Sequence, residues 1–175
     1  MHPLHSAVAK SLVTQLPSAV ELFKDPACDG TMHLPLFMGN RKARDTRTCC
    51  VDLLVLSRGR VRTILEIEES GFLPTKICGK FLQAAIATHF IFGSPQERVV
   101  PFAASVLFVQ VLDASKCLVK GTRKDAQADL IAQEIRWRLP LVASSIGDYR
   151  LLFVNGAQDK DGLAKVANVV AGALP

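Results

Sequence analysis

Two apolar runs separated by four residues constrain this chain more than any other feature. Residues 48–56 read TCCVDLLVL and residues 61–68 read VRTILEIE, with Ser57-Arg58-Gly59-Arg60 between them. Their β-branched and aliphatic side chains favour extended backbone, and the intervening turn contains a glycine able to take positive φ. An antiparallel hairpin is therefore predicted. Its first strand is almost wholly apolar, which predicts cover on both faces.

The remaining sequence supplies that cover. Residues 6–24 are predicted helical, because Val8, Leu12, Val13, Leu16, Val20 and Phe23 recur at roughly helical spacing, with Pro17 dividing or kinking the helix. Residues 32–38 read as a short extended piece leading into a basic loop, 39–47. Gly71, Pro74 and Gly79 mark a loop after the hairpin. Residues 80–92 read as an Ala-rich helix containing His89, and 103–112 as a further strand. An amphipathic helix, 125–139, is stopped by Pro140; a short strand, 150–154, and a closing helix, 160–174, follow. This order predicts an α/β fold, with helices packed on a mixed sheet and the hairpin at its front. No internal repeat divides the 175 residues, so a single domain over 1–175 is expected.

Composition excludes several classes. At 49% hydrophobic residues the chain can bury a core without disulfides or a structural metal. The five cysteines (Cys28, Cys49, Cys50, Cys78, Cys117) form no CxxC and are not grouped with histidines, so plain packing is expected for all of them. Lys10, Gln15 and Pro17 interrupt any signal-like core near the start. No apolar run approaches the roughly 20 residues that span a bilayer. A soluble, cytoplasmic protein with no membrane partner is the expectation. The formal charge of +5 is unevenly placed: Arg41, Lys42, Arg44 and Arg47 crowd one polar segment, and Arg58, Arg60 and Arg62 surround the hairpin turn. Such clusters suit a polyanion, although a solvated loop has the same composition.

A conflict in the apolar pattern carries the chemistry. Asp52 interrupts one run, and Glu66 and Glu68 end the other. Carboxylates are poor strand residues, costly to bury alone, and repel one another when they converge. A divalent cation resolves the conflict, since a hard ion requires several oxygens in one place. Glu66 and Glu68 are two residues apart and share a face. Asp52 joins that face if the turn sets it opposite Glu66, and a one-residue slip removes it. The plainer reading makes Glu68 and Glu69 a polar strand end, with Asp52 capping a bulge or binding an arginine.

An Asp on one hairpin strand followed by Glu-x-(Lys or Glu) on the next resembles the PD-(D/E)XK nuclease superfamily, whose fold is that of restriction endonucleases. The element order of residues 5–155 is similar to its core; the residue match is Val51-Asp52 and Glu66-Ile67-Glu68. The resemblance implies a three-layer helix/mixed-sheet/helix core of restriction-endonuclease-like type, whose hairpin carries the acidic site. It implies Mg2+ (Mn2+ as a substitute) held by Asp52, Glu66 and the main-chain carbonyl of Ile67, and hydrolysis of phosphodiesters in nucleic acid, DNA before RNA. The third motif position, usually lysine, is Glu68 here. Either Glu68 itself orients water or binds a second metal, or Lys76 or Lys80 reaches in, Lys80 being preferred as the residue that opens a helix. Glu21 is a candidate for the extra helix-borne acid of such nucleases, and Gln83 for a glutamine found after the motif. Arg41, Lys42, Arg44, Arg47, Arg58 and Arg60 would hold the nucleic-acid backbone. A homodimer is the assembly many such nucleases use.

Two rivals remain at this level. The first is a degenerate member of the same fold, serving as a nucleic-acid-binding or subunit-interaction module. The second is a nucleotide-binding α/β protein, but neither GxGxxG nor GxxxxGK[ST] occurs, and there is no GxSxG elbow. Trp137, between Arg136 and Arg138, is read as a core anchor in preference to a stacking residue. His89 is read as a core or boundary residue of its helix.

Overall fold

The computed structural model describes residues 2–70, 73–116 and 124–175; Gly71 and Cys117 lie outside them. The order is α1 (Pro3–Gln15), β1 (Glu21–Lys24), β2 (Leu34–Phe37), β3 (Arg47–Val51), β4 (Leu53–Ser57), β5 (Arg60–Glu68), α2 (Pro74–Ala85), β6 (His89–Phe92), β7 (Arg98–Asp113), α3 (Lys124–Trp137), β8 (Ile146–Val154) and α4 (Lys160–Ala171). The hairpin is β4 with β5, antiparallel, with Leu53 opposite Leu65 and Leu54 opposite Ile64. Arg58 (φ 52°) and Gly59 (φ 69°) both take left-handed backbone at the turn, whose twist matches that of the flanking strands. Every residue of β4 is buried.

The strands form one mixed sheet of eight in the order β1-β4-β5-β7-β6-β2-β3, with β8 alongside β7. β5, β7 and β8 run parallel, and the other pairings are antiparallel. β7 belongs to three ladders: residues 98–101 pair with β6, residues 106–113 pair with β8, and β5 pairs along its other edge. Against β5 its register jumps from Val61–Phe102 to Thr63–Leu107, so residues 103–106 lie opposite Arg62 alone.

Helices cover both faces, because the sheet is apolar on both. Ile77, Phe81 and Ala84 of α2 and Ala128 and Ala132 of α3 pack with Leu54, Ile64, Phe108 and Tyr149. Leu4, Val8 and Leu12 of α1 and Val166 and Val170 of α4 pack with Leu53, Leu65, Val109 and Val111 on the other face. Among the described residues no helix is long and apolar enough to cross a membrane.

The structure corrects several boundaries. The run 48–56 is two strands, because the chain leaves the β2 ladder and joins the β1–β4–β5 ladder at a bend on Asp52. The first helix stops at Gln15, where Leu16 is extended (ψ 144°) ahead of Pro17, and residues 21–24 form β1 on the edge of β4. The helix expected over 80–92 spans Pro74–Ala85, so Pro74 starts it and Gly79 lies inside it. The segment HFIF becomes β6, between β2 and β7, and carries His89. β7 and β8 extend beyond the expected strands at their N-terminal ends. Trp137 is 81% exposed, with the Arg138 guanidinium 5.3 Å from its ring centre, because α3 packs through Ala128 and Ala132 instead. Of the described cysteines Cys28 is buried and Cys49 half-buried, whereas Cys50 and Cys78 are exposed, so plain packing does not hold for all of them.

Candidate active site at the hairpin mouth

Asp52, Glu66 and Glu68 gather where β4 begins and β5 ends. The β4–β5 register brings Asp52, one step before Leu53, level with Glu66. Asp52 lies on the bend and not in a ladder, so its carboxylate turns along β5 and Oδ2 accepts the Ile67 N–H at 2.7 Å. The N–H and C=O of one strand residue project from the same edge, so the Ile67 carbonyl is directed to the side where Asp52 sits. Burial raises the Asp52 pKa, and His5 opposes that rise.

Glu66 is 1% exposed, and its neighbours only half satisfy it. Oε2 accepts a 2.9 Å hydrogen bond from Lys80 Nζ, while Oε1 is buried with no partner. Burial is the main cause that lifts its pKa to about 8; the Asp52 charge raises it further, and Lys80 pulls against both. For Lys80, burial works against the charge, but the Glu66 carboxylate, where ionised, outweighs it and raises the pKa. Lys76 stands one turn earlier on α2 and donates to Glu68 at 3.2 Å. The two lysines of α2 thus meet the two glutamates of β5, because i and i+4 on a helix fall on one face as i and i+2 do on a strand. Of the two repairs expected for the missing motif lysine, Lys80 reaches the buried carboxylate.

Two polar side chains that the sequence reading did not single out adjoin these acids, Gln110 at Glu66 and His5 at Asp52 and Glu69. Gln110 sits beside Glu66 in the parallel β5–β7 register and is 1% exposed. Its Oε1 accepts from Tyr149 Oη at 2.6 Å, and its Nε2 has no partner. The only sequence signal was one amide inside the apolar run of β7. His5 was also missed: it lies on α1, buried, with Nδ1 2.8 Å from Glu69 Oε1 and Nε2 3.6 Å from Asp52 Oδ2. Glu69 is therefore tied to α1 and is more than a solvated strand end.

The other expected residues are placed elsewhere. Glu21 is on β1, not on a helix, and forms a two-point ion pair with Arg98 away from the acids. Gln83 is exposed on α2. Arg44 and Arg47, exposed, line a concavity with Lys42, Pro35 and Phe37. Arg41 pairs with Asp45, and Lys42 with Glu97. Arg58 and Arg60 lie at the closed end of the hairpin, six residues or about 20 Å from Glu66 along β5, and Arg60 donates to the Phe102 carbonyl at 3.4 Å.

A divalent ion fits the acids on one observation: Glu66 Oε1 is an acceptor shut away from solvent with nothing to accept from. The carboxylate of Asp52 and the carbonyl of Ile67 on the same edge complete an all-oxygen donor set of the kind magnesium takes. The ligating atoms of Asp52, Glu66 and Glu68 do not all fall within 4.8 Å of one another. The three acids, expected to converge on one ion, are therefore not drawn to a single point as they stand, and Glu68 is paired with Lys76. Comparison with family models, curated proteins and solved structures returned no significant match.

Proposed function

We propose that this protein is a metal-dependent nuclease of the restriction-endonuclease-like type, hydrolysing phosphodiester bonds in nucleic acid, with DNA as the preferred substrate. The observation that carries the reading is the half-satisfied, buried Glu66 carboxylate level with Asp52, with the Lys80 ammonium on its other oxygen. A buried acid whose pKa is displaced by burial and by named charged neighbours is a functional-site candidate with a physical rationale. With β2, β3 and β6 set aside as additions, the order helix, strand, acidic hairpin, helix, parallel strand is compatible with the PD-(D/E)XK core that the motif resembles.

Asp52, Glu66 and the Ile67 carbonyl would hold Mg2+, which, when bound, supplies the Lewis acidity that activates water and draws charge from the scissile phosphate. Lys80 would supply positive charge where negative charge develops on the phosphate oxygens. Glu68, ion-paired with Lys76, would accept the proton of the attacking water. The Asp52 carboxylate is held by the Ile67 N–H, which keeps one proposed ligand in position. Arg44 and Arg47 present charge for the nucleic-acid backbone, a contact that positions a duplex without reading it.

The test is titration of Mg2+ and Mn2+ into wild type, Asp52→Ala and Lys80→Ala, with cleavage of plasmid and single-stranded DNA as the readout. Metal-dependent cutting is expected, lost by a factor on the order of a hundred or more in each variant. Metal binding without cleavage of any nucleic acid would make the chain a degenerate binding module, and no binding at all would remove the nuclease reading.

A further inference from the structure

A second set of ligating atoms converges at the start of α1, on the far side of Asp52. His2 is the residue before the helix, exposed, and its side chain makes no capping hydrogen bond. His5 lies one turn on, with the two rings 5.1 Å apart between centres. Glu69 comes from the chain just beyond β5. One nitrogen of each histidine and one Glu69 oxygen lie within 4.8 Å of one another, the only such group of three His, Cys, Asp or Glu among the described residues. They open into a concavity of about 420 Å³, also lined by Ile67, Glu68 and Ser70.

The surroundings hold these atoms ready. Glu69 Oε1 accepts the backbone N–H of His5 at 3.0 Å, which fixes the carboxylate whatever the histidine rings do. The His5 ring is 7% exposed at the residue level and lies between two carboxylates, Glu69 at Nδ1 and Asp52 at Nε2. A ligating imidazole nearly always donates its other N–H to a carboxylate or carbonyl, and the carboxylate nearest His5 Nε2 is Asp52, at 3.6 Å, outside hydrogen-bond range but on the required side of the ring. Ion-to-ligand bonds of about 2.0–2.2 Å bring ligand atoms roughly 3–4 Å apart, so the observed spacing needs little adjustment.

We propose that His2, His5 and Glu69 bind a divalent transition-metal ion of the zinc class, separate from the oxygen set of Asp52, Glu66 and Ile67. Two imidazoles and one carboxylate suit zinc, cobalt or nickel and are foreign to magnesium, which prefers oxygen alone. The ion takes the place of the hydrogen between His5 Nδ1 and Glu69. Three protein ligands leave a coordination position open toward the concavity, the pattern of a site that admits water or a ligand atom. The carboxylates of Glu68 and Glu69 on the wall offset the positive end of the α1 dipole. This site does not depend on the nuclease reading, and either stands if the other falls.

The experiment uses the full chain in excess Mg2+, with Zn2+ titrated by calorimetry and Co2+ followed by its visible absorption. One equivalent is expected to bind, with the cobalt bands of a nitrogen-ligated, low-coordinate ion. His2→Ala and Glu69→Gln each weaken binding on the order of tenfold or more, and Glu66→Gln leaves it unchanged. Because His2 is exposed, its variant folds even if Glu69→Gln does not, and circular dichroism checks both. Absence of binding to wild type, wild-type affinity in His2→Ala, or loss in Glu66→Gln with retention in His2→Ala would each overturn the assignment.

Discussion

Glu66 is the residue at which local chemistry and fold are most at odds. It sits at the end of a strand buried on both faces, on the side where Ile64 and Phe108 pack, and burial lifts its pKa from 4.5 to about 8. Between those values the folded metal-free protein holds a proton that the unfolded chain has released. Stability therefore falls as pH rises through that window. Thermal melts in chelator from pH 5 to 8.5 are expected to show a decline in wild type that Glu66→Gln lacks; parallel curves would refute it. Divalent ion, which needs the ionised carboxylate, restores stability most at the alkaline end. The three acids were visible in the sequence because they broke an apolar pattern that is local. The partners were not: His5 meets Glu69 across 64 positions, and Gln110 meets Tyr149 across 39, distances over which no spacing rule operates.

At the scale of elements, legibility followed the same division. The hairpin was readable because two apolar runs rich in β-branched and aliphatic residues flank a turn glycine, signals that act over a few residues. Residues 21–24 and 89–92 were not, since four residues with two or three apolar side chains suit a helix or a strand equally and the choice falls to whichever ladder needs a partner. Capping shows how strongly a single residue can fix an element. Asp159 accepts the N–H of Gly162 at 3.0 Å and that of Asn155 at 2.8 Å, joining the end of β8 to the start of α4. A Cβ at Gly162 would meet Asp159 Oδ2 at 2.4 Å, so the glycine makes room for its own cap. The two backbone N–H groups hold the Asp159 carboxyl below the ordinary aspartate range. Its contribution is thus present at neutral pH and is lost as pH falls through the lowered value. Asp159→Ala is expected to destabilise the fold by about 1 kcal/mol in urea titrations at pH 7, with a smaller difference from wild type at pH 3.

Across the whole molecule, charge and chemistry are divided along the hairpin. The acids stand at its open end, and Arg58 and Arg60 at its closed end, so the turn arginines lie outside the immediate surroundings of the acids. Arg44 and Arg47, exposed in the loop before β3 and at its first residue, are the better candidates for phosphate contact. Duplex affinity measured by anisotropy against salt, in chelator, tests this. Arg44→Ala with Arg47→Ala should reduce the slope of log affinity on log salt by about 1.8, the value for two phosphates, and Arg58→Ala should leave it unaltered. Equal slopes in all three proteins would remove the loop from the interface. The offset in β7 has a mechanical consequence at this scale. Residues 103–106 pass Arg62 without pairing one for one, so they behave as an expansion joint between the two halves of the strand. Insertion of a residue into β6 or β2 is expected to be absorbed in that stretch before it reaches Gln110, so thermal melts of such a variant should retain the pH dependence set by Glu66.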